Sequence, residues 1–199
     1  MKVSVAILAG GQSRRMGCDK AFLPVGGKPA IQRVLEHVIP LSEDVILVTN
    51  VPDKYAPYTN CRIIGDICPG KGPLGGIHTA LVAARYPYCL IVACDMPFLS
   101  TRLLRYLARL ASACQCDVVV PRISGRWETL HAVYSKRCLH PIEQCLKQDQ
   151  LRVCNFFESV RLCVVEQNRL ERFDPLLRSF LNVNTPEEWR CFQQIAMNE

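Results

Sequence analysis

An apolar run, Val3–Leu8, interrupted only by Ser4, stops abruptly at Ala9-Gly10-Gly11, and the chain repeats that figure. A strand with so little polar character has no side to show to water, so it is buried on both faces. Val45–Val48 is a second such run, Arg62–Ile64 a short third, Cys89–Ala93 a fourth and Val118–Val120 a fifth. Between them the apolar residues switch to helical spacing. Ile31, Val34, Leu35, Val38 and Ile39 form one set after Pro29, and Ile77, Ala80, Leu81 and Ala84 form another. Leu103, Leu104, Leu107, Ala108 and Ala111 form a third. Buried strands alternating with amphipathic helices constrain the chain to an α/β fold: a mostly parallel sheet with helices on both faces. Sheets of this kind take their ligands beyond the carboxyl ends of the strands.

The last third is less regular. Leu130–Tyr134 is predicted as a strand, Leu139, Ile142 and Leu146 as a helix, Val153–Val160 as helical and Leu162–Val165 as a strand. Phe180–Val183 precedes Asn184-Thr185-Pro186-Glu187-Glu188, a capping box with proline at the first helical position, which predicts a final helix. The Pro/Gly-rich stretch Cys68–Gly76 reads as a loop. No repeat, low-complexity segment or composition break divides the 199 residues, so one domain, 1–199, is expected.

Composition narrows the function classes. With 49% hydrophobic and 21% charged residues the chain is of ordinary globular type, and no segment approaches the roughly 18–20 apolar residues that cross a bilayer. Met1-Lys2 leads straight into the first strand with no cleavage-site pattern, so a cytoplasmic protein is expected. Twelve cysteines stand without a Cys-x-x-Cys pair or a histidine cluster, which is unlike a zinc site or a secreted disulfide scaffold. Cys89, Cys94, Cys145 and Cys163 sit in apolar runs, where free cysteine serves as a small hydrophobe. The formal charge of +6 is scattered from Arg14 to Arg190 with no dense run, a pattern that suits polyanionic small molecules rather than nucleic acid.

The chemistry begins at Leu8-Ala9-Gly10-Gly11-Gln12-Ser13-Arg14-Arg15-Met16-Gly17-Cys18-Asp19-Lys20. Glycines right after a strand expose backbone N–H groups to a phosphate or a base edge, and Arg15 and Lys20 add a planar fork and a point charge. Gly-x-Gly-x-x-Gly is absent, and Gly27-Lys28 is followed by Pro29, not Ser or Thr. A dinucleotide-binding dehydrogenase and a P-loop GTPase both lose ground here. By themselves these residues also fit a tight strand-to-helix turn with solvated charges.

The whole string, with Leu23-Pro24-Val25-Gly26-Gly27-Lys28-Pro29 after it, resembles the N-terminal signature of the molybdenum cofactor guanylyltransferases. Gly65-Asp66 and Pro69-Gly70-Lys71-Gly72-Pro73-Leu74-Gly75-Gly76-Ile77 are similar to that family's second glycine-rich loop, and Cys94-Asp95-Met96-Pro97-Phe98 to its metal-binding element. Asn182-Val183-Asn184-Thr185-Pro186 resembles its C-terminal element. The resemblance spans nearly the whole chain and is sharpest in the first half. It implies a Rossmann-like three-layer domain of the nucleotide-diphospho-sugar transferase type that moves GMP from GTP onto molybdopterin, releasing pyrophosphate.

Carried over residue by residue, the resemblance implies that Leu8, Ala9, Gly10, Gly11, Asn50 and Asp66 hold the nucleotide, with Asp66 on the guanine. A carboxylate can accept from both N1–H and the exocyclic amine of guanine, a pattern adenine lacks. Arg15, Lys20 and Asp95 become the catalytic set, with Asp95 the ligand of Mg²⁺ and Asn182 and Asn184 further metal or phosphate contacts. His131 and Arg152 are expected on the acceptor side, although Gly125-Arg126-Trp127-Glu128-Thr129 departs from the Pro-containing stretch that usually precedes that histidine. Implied partners are GTP, molybdopterin, and molybdoenzyme apo-proteins or their chaperones, with neither nucleic acid nor membrane. The same fold transferring CMP, a sugar-phosphate nucleotidyltransferase, and a non-catalytic nucleotide or cofactor carrier are the alternatives. Leu-Ala-Gly-Gly in the first loop, together with Asp66, favours guanine.

Overall fold

In the computed structural model, described for residues 2–10, 20–59, 61–182 and 186–197, the parallel strands appear where the apolar runs predict them. The elements are β1 (Ser4–Leu8), β2 (Pro24–Val25), β3 (Lys28–Pro29), α1 (Ala30–Val38), β4 (Val45–Val48), α2 (Pro52–Tyr55), β5 (Arg62–Ile64) and α3 (Gly72–Ala83). There follow β6 (Tyr88–Ala93), α4 (Thr101–Cys114), β7 (Val118–Ile123), β8 (Arg126–Trp127), β9 (His131–Ser135) and α5 (Leu139–Lys147). A 3-10 segment (Val153–Ser159), β10 (Leu162–Glu166), α6 (Gln167–Leu170) and α7 (Pro186–Met197) complete the chain.

The main sheet runs β10-β7-β9-β6-β1-β4-β5, with β8 paired to β7 and β2-β3 forming a separate ribbon. Strands β6, β1, β4 and β5 are mutually parallel, whereas β9 is antiparallel to both β6 and β7. That reversal has a consequence for the site. An antiparallel strand enters the sheet at the edge its parallel neighbours leave, so His131 lies in register with Val92 near the end of β6.

Side chains alternate across β1, and two cores result. Val5 and Ile7 join Ile31, Val34 and Leu35 of α1 and Leu103, Leu104 and Leu107 of α4 on one face. Ala6 and Leu8 join Leu74, Ile77 and Leu81 of α3, Ile142 of α5, and Phe156 on the other. Each fully buried Leu or Ile contributes about 1.5–3 kcal/mol by leaving water, which makes a one-residue slip of β1 prohibitive. The amino end of the sheet is tied by buried Asp44, which accepts from the Ser4 hydroxyl (2.5 Å) and the Arg85 amide (2.8 Å) and pairs with Arg62 (2.8 Å). Burial by itself would raise that carboxyl, but these partners outweigh it and hold it below the usual carboxylate range.

One expectation needs correction. The stretch Cys68–Gly76 is not all loop, because α3 already begins at Gly72, with Pro73 in its first turn. Gly75 and Gly76 serve close packing, whereas Gly70 and Gly72 hold positive φ in the turn. A Cβ on Gly75 would sit 2.7 Å from the Cys68 carbonyl oxygen, and one on Gly76 would sit 3.1 Å from Leu8 Cδ1. The glycines let α3 press against the end of β1, which is why Leu74–Leu81 is buried without a break. The final helix begins at Pro186 as the capping box predicts, although Asn184 and Thr185 lie outside the described residues. Of the cysteines read as core, Cys89 and Cys145 are buried, but Cys94 and Cys163 are only partly so. Each stands at or beyond the edge of the packed layers: Cys94 follows the last residue of β6, and Cys163 lies on the outermost strand.

Candidate active site

The carboxyl ends of β1, β4, β5 and β6 open on one cavity of about 770 Å³. Leu8, Ala9 and Gly10 line it from β1, Val48–Val51 from β4, Asp66 from β5, and Ala93, Cys94 and Asp95 from β6. Lys20, Tyr55, Gly70, Gly72, Pro73, Gly76 and Leu130 complete the wall. Its size suits a nucleotide with room beside it, and its place beyond the strand ends is the one this sheet type uses. A smaller recess of about 490 Å³ lies at the opposite edge, around the Asp44 clamp, away from every predicted site residue.

Asp66 stands at one side of the cavity in a built setting. Its Oδ1 accepts from the Thr79 hydroxyl (2.7 Å) and the Cys68 amide (2.9 Å). Its own amide donates to Asn50 Oδ1 (3.0 Å), and the Ile67 amide donates to Thr79 Oγ1 (3.1 Å). Asn50 is thus a cavity residue that also braces the β5 turn. Oδ1 already accepts two bonds, whereas Oδ2 accepts none among the described residues.

Asp95 stands at the other side, one residue beyond Cys94 at the end of β6. Burial raises its carboxyl above the ordinary value, and the positive charge of Lys20 partly opposes that. A desolvated carboxylate facing a cavity fits a divalent cation, whose charge would offset the cost of burial. Among the described residues no group of three or more His, Cys, Asp or Glu side chains is arranged to hold a metal. A single cavity carboxylate would fit Mg²⁺, which binds through one or two carboxylates and takes its other oxygens from water and phosphate.

Of the predicted site residues, the fold brings Leu8, Ala9, Gly10, Lys20, Asn50, Asp66 and Asp95 to one cavity. Gly11, Arg15 and Asn184 lie outside the described residues, and Asn182 is partly buried near the start of the last segment. Neither of the two residues expected on the acceptor side lines the cavity. Arg152 is exposed at the start of the 3-10 segment and does not line the cavity. His131 is completely buried, and its neighbour Leu130 forms the wall instead. The imidazole packs on Phe180 (centroids 4.5 Å apart), and neither nitrogen has a hydrogen-bond partner among the described residues. Burial lowers its pKa to about 4 despite the nearby Asp174, and the ring does not line the cavity.

Thr79 escapes a reading of the sequence because it sits mid-helix among apolar residues, as a tolerated small side chain would. Its signal is that a buried hydroxyl requires a partner, and the partner is Asp66.

Comparison with known proteins bears on the fold and the family. Residues 5–160 match the family model described as the MobA-like NTP transferase domain. A "Molybdenum cofactor guanylyltransferase" of Desulfosudis oleivorans is 38% identical over 187 residues, covering 94% of this chain and 92% of that one. A "Probable molybdenum cofactor guanylyltransferase" of Pelotomaculum thermopropionicum is 38% identical over 188 residues, covering 94% and 90%. The crystal structure of molybdopterin-guanine dinucleotide biosynthesis protein A from Archaeoglobus fulgidus superposes with a TM-score of 0.89 at 28% identity, over 98% of this chain and all of that one. The match extends well past half of the chain, and the chain belongs to the MobA-like nucleotidyltransferase family.

Proposed function

We infer that the chain, as a single catalytic domain, transfers GMP from GTP to the terminal phosphate of molybdopterin and releases pyrophosphate. The observation that carries this reading is the separation of tasks in one cavity: a braced carboxylate, Asp66, at one side and the Asp95–Lys20 pair at the other. The guanylyltransferase names of its relatives supply the base and the acceptor.

Asp66 Oδ2 receives guanine N–H donors, with the Leu8–Gly10 backbone beside the base. Lys20, together with Arg15, neutralises the triphosphate and then the leaving pyrophosphate. Asp95 would hold Mg²⁺, with Asn182 and Asn184 as further contacts, and the charge supplied there would offset that of the phosphate oxygens. The attacking group is a phosphate monoester, already largely ionised near neutral pH because its second pKa is about 6, so no general base is needed. What the protein contributes is alignment of the acceptor oxygen with the α-phosphorus. Leu130 presents an apolar surface on the β9 side, and His131 beneath it shapes that wall rather than touching the acceptor. Such a protein works in the cytoplasm and passes its product to molybdoenzyme apo-proteins or their chaperones.

Calorimetric titration of the purified chain tests the base assignment. GTP binding at least about tenfold tighter than CTP is expected, roughly 1.4 kcal/mol. The reverse order would make the chain the cytidylyl counterpart.

A further inference from the structure

Outside the nucleotide cavity, three side chains from separate elements stand in line. Cys68 Sγ lies 3.6 Å from His78 Nδ1, and His78 Nε2 lies 3.2 Å from Glu143 Oε1. The half-buried thiol belongs to the turn before α3, the buried imidazole to α3 and the partly exposed carboxylate to α5. Because Glu143 can only accept, Nε2 carries the proton and Nδ1 presents its lone pair to the thiol. This is the order of an activated nucleophile: thiol, base, and a third group that fixes the base. We propose that Cys68 is a modification site for low-molecular-weight disulfides, its thiol deprotonated during attack by the His78–Glu143 pair.

The step balances without a further reactant. Cys68 Sγ attacks one sulfur of R–S–S–R while its proton passes to His78 Nδ1. The S–S bond breaks, and the departing RS⁻ takes that proton back as RSH, leaving a mixed disulfide on Cys68. The low-molecular-weight disulfide is the oxidant. The relay is needed because burial, the Asp66 carboxylate and Glu143 all disfavour a free thiolate, with only Lys71 opposing them. A further consequence rests on the function proposed above. The Cys68 amide braces Asp66, so an adduct on Cys68 disturbs the turn that holds the guanine.

The test treats the full chain with glutathione disulfide and follows each cysteine by peptide mass spectrometry. Exposed Cys114 and Cys191 serve as references. His78→Gln is expected to slow adduct formation at Cys68 by at least about tenfold, and Glu143→Gln several-fold, with the references unchanged. A role for His78 that is only structural would loosen the turn and speed labelling of Cys68. Unchanged or faster labelling in both variants overturns the proposal. Should His78→Gln unfold, buried Cys89 and Cys138 would become labelled, and Glu143→Gln alone would then decide. GTP is expected to slow labelling of the unmodified chain. If GTP binds by calorimetry without slowing it, the link to the nucleotide is wrong; if GTP does not bind, the function is wrong and the rate comparison still stands.

Discussion

The Thr79 hydroxyl, buried in α3, lies 2.7 Å from Asp66 Oδ1 and holds that carboxylate in the wall of the cavity proposed for the nucleotide. A buried hydrogen bond to a charged group contributes about 1.5–3 kcal/mol. Thr79→Val is therefore expected to raise KM for GTP by roughly 10–100-fold with a smaller change in kcat, and Thr79→Ser to restore it. Asp66→Ala should weaken GTP binding more than it weakens binding of free pyrophosphate. Steady-state kinetics and competition titration read both, and equal losses for GTP and pyrophosphate would make Asp66 a scaffold residue only.

Asp95 is desolvated and shares the cavity wall with Lys20, whose charge acts on it. Its replacement by alanine removes the carboxylate assigned to Mg²⁺. Turnover with saturating GTP and acceptor is expected to fall by about 10²–10³, as losses of comparable electrostatic groups do. Near-normal turnover would remove Asp95 from the catalytic set.

The contact of Gly75 with the Cys68 carbonyl makes a stability prediction. A new Cβ would meet a backbone oxygen at 2.7 Å, which cannot move without dragging the Asp66 turn. Gly75→Ala is expected to cost about 1–3 kcal/mol despite the better helix propensity of alanine. Gly76→Ala, which meets only the flexible end of Leu8 at 3.1 Å, should stay within about 1 kcal/mol. Urea denaturation distinguishes them, and equal effects would contradict the packing account.

His131 sets an acid limit on stability. Its pKa is lowered from 6.5 to about 4 by burial, so the unfolded chain takes up a proton there before the folded chain does. Stability from this site is fully present above pH 6.5, and it declines as pH falls from 6.5 through 4. The loss amounts to about 2–3 kcal/mol across that window. His131→Phe should flatten the decline between pH 7 and pH 4.5 in denaturant titrations. An unaltered pH profile would show that the imidazole is not the group being protonated.

Legibility in the sequence followed the physics of burial. Strands buried on both faces, such as Val45–Val48, announce themselves because no polar residue is tolerated in them. The glycines of the second loop mislead because glycine supports both turns and close helix packing, and only the neighbouring Cys68 carbonyl and Leu8 side chain reveal which applies. Asp66 and Asp95 were visible as carboxylates just past strand ends. Thr79 was not, since its partner lies 13 residues away and meets it only after the β5–α3 turn closes. His131 shows the converse. A histidine in a motif suggests contact with ligand, yet the antiparallel entry of β9 buries its ring and leaves Leu130 at the wall.

The central claim is guanylyl transfer, and a single competition measures it. Purified protein, Mg²⁺ and molybdenum-loaded molybdopterin receive equimolar GTP and CTP, and the dinucleotide product is identified by chromatography. The account predicts the guanine dinucleotide, formed with release of pyrophosphate and lost in Asp95→Ala. A cytosine dinucleotide would contradict the role given to Asp66, and no product from an intact acceptor would leave a nucleotide carrier rather than an enzyme.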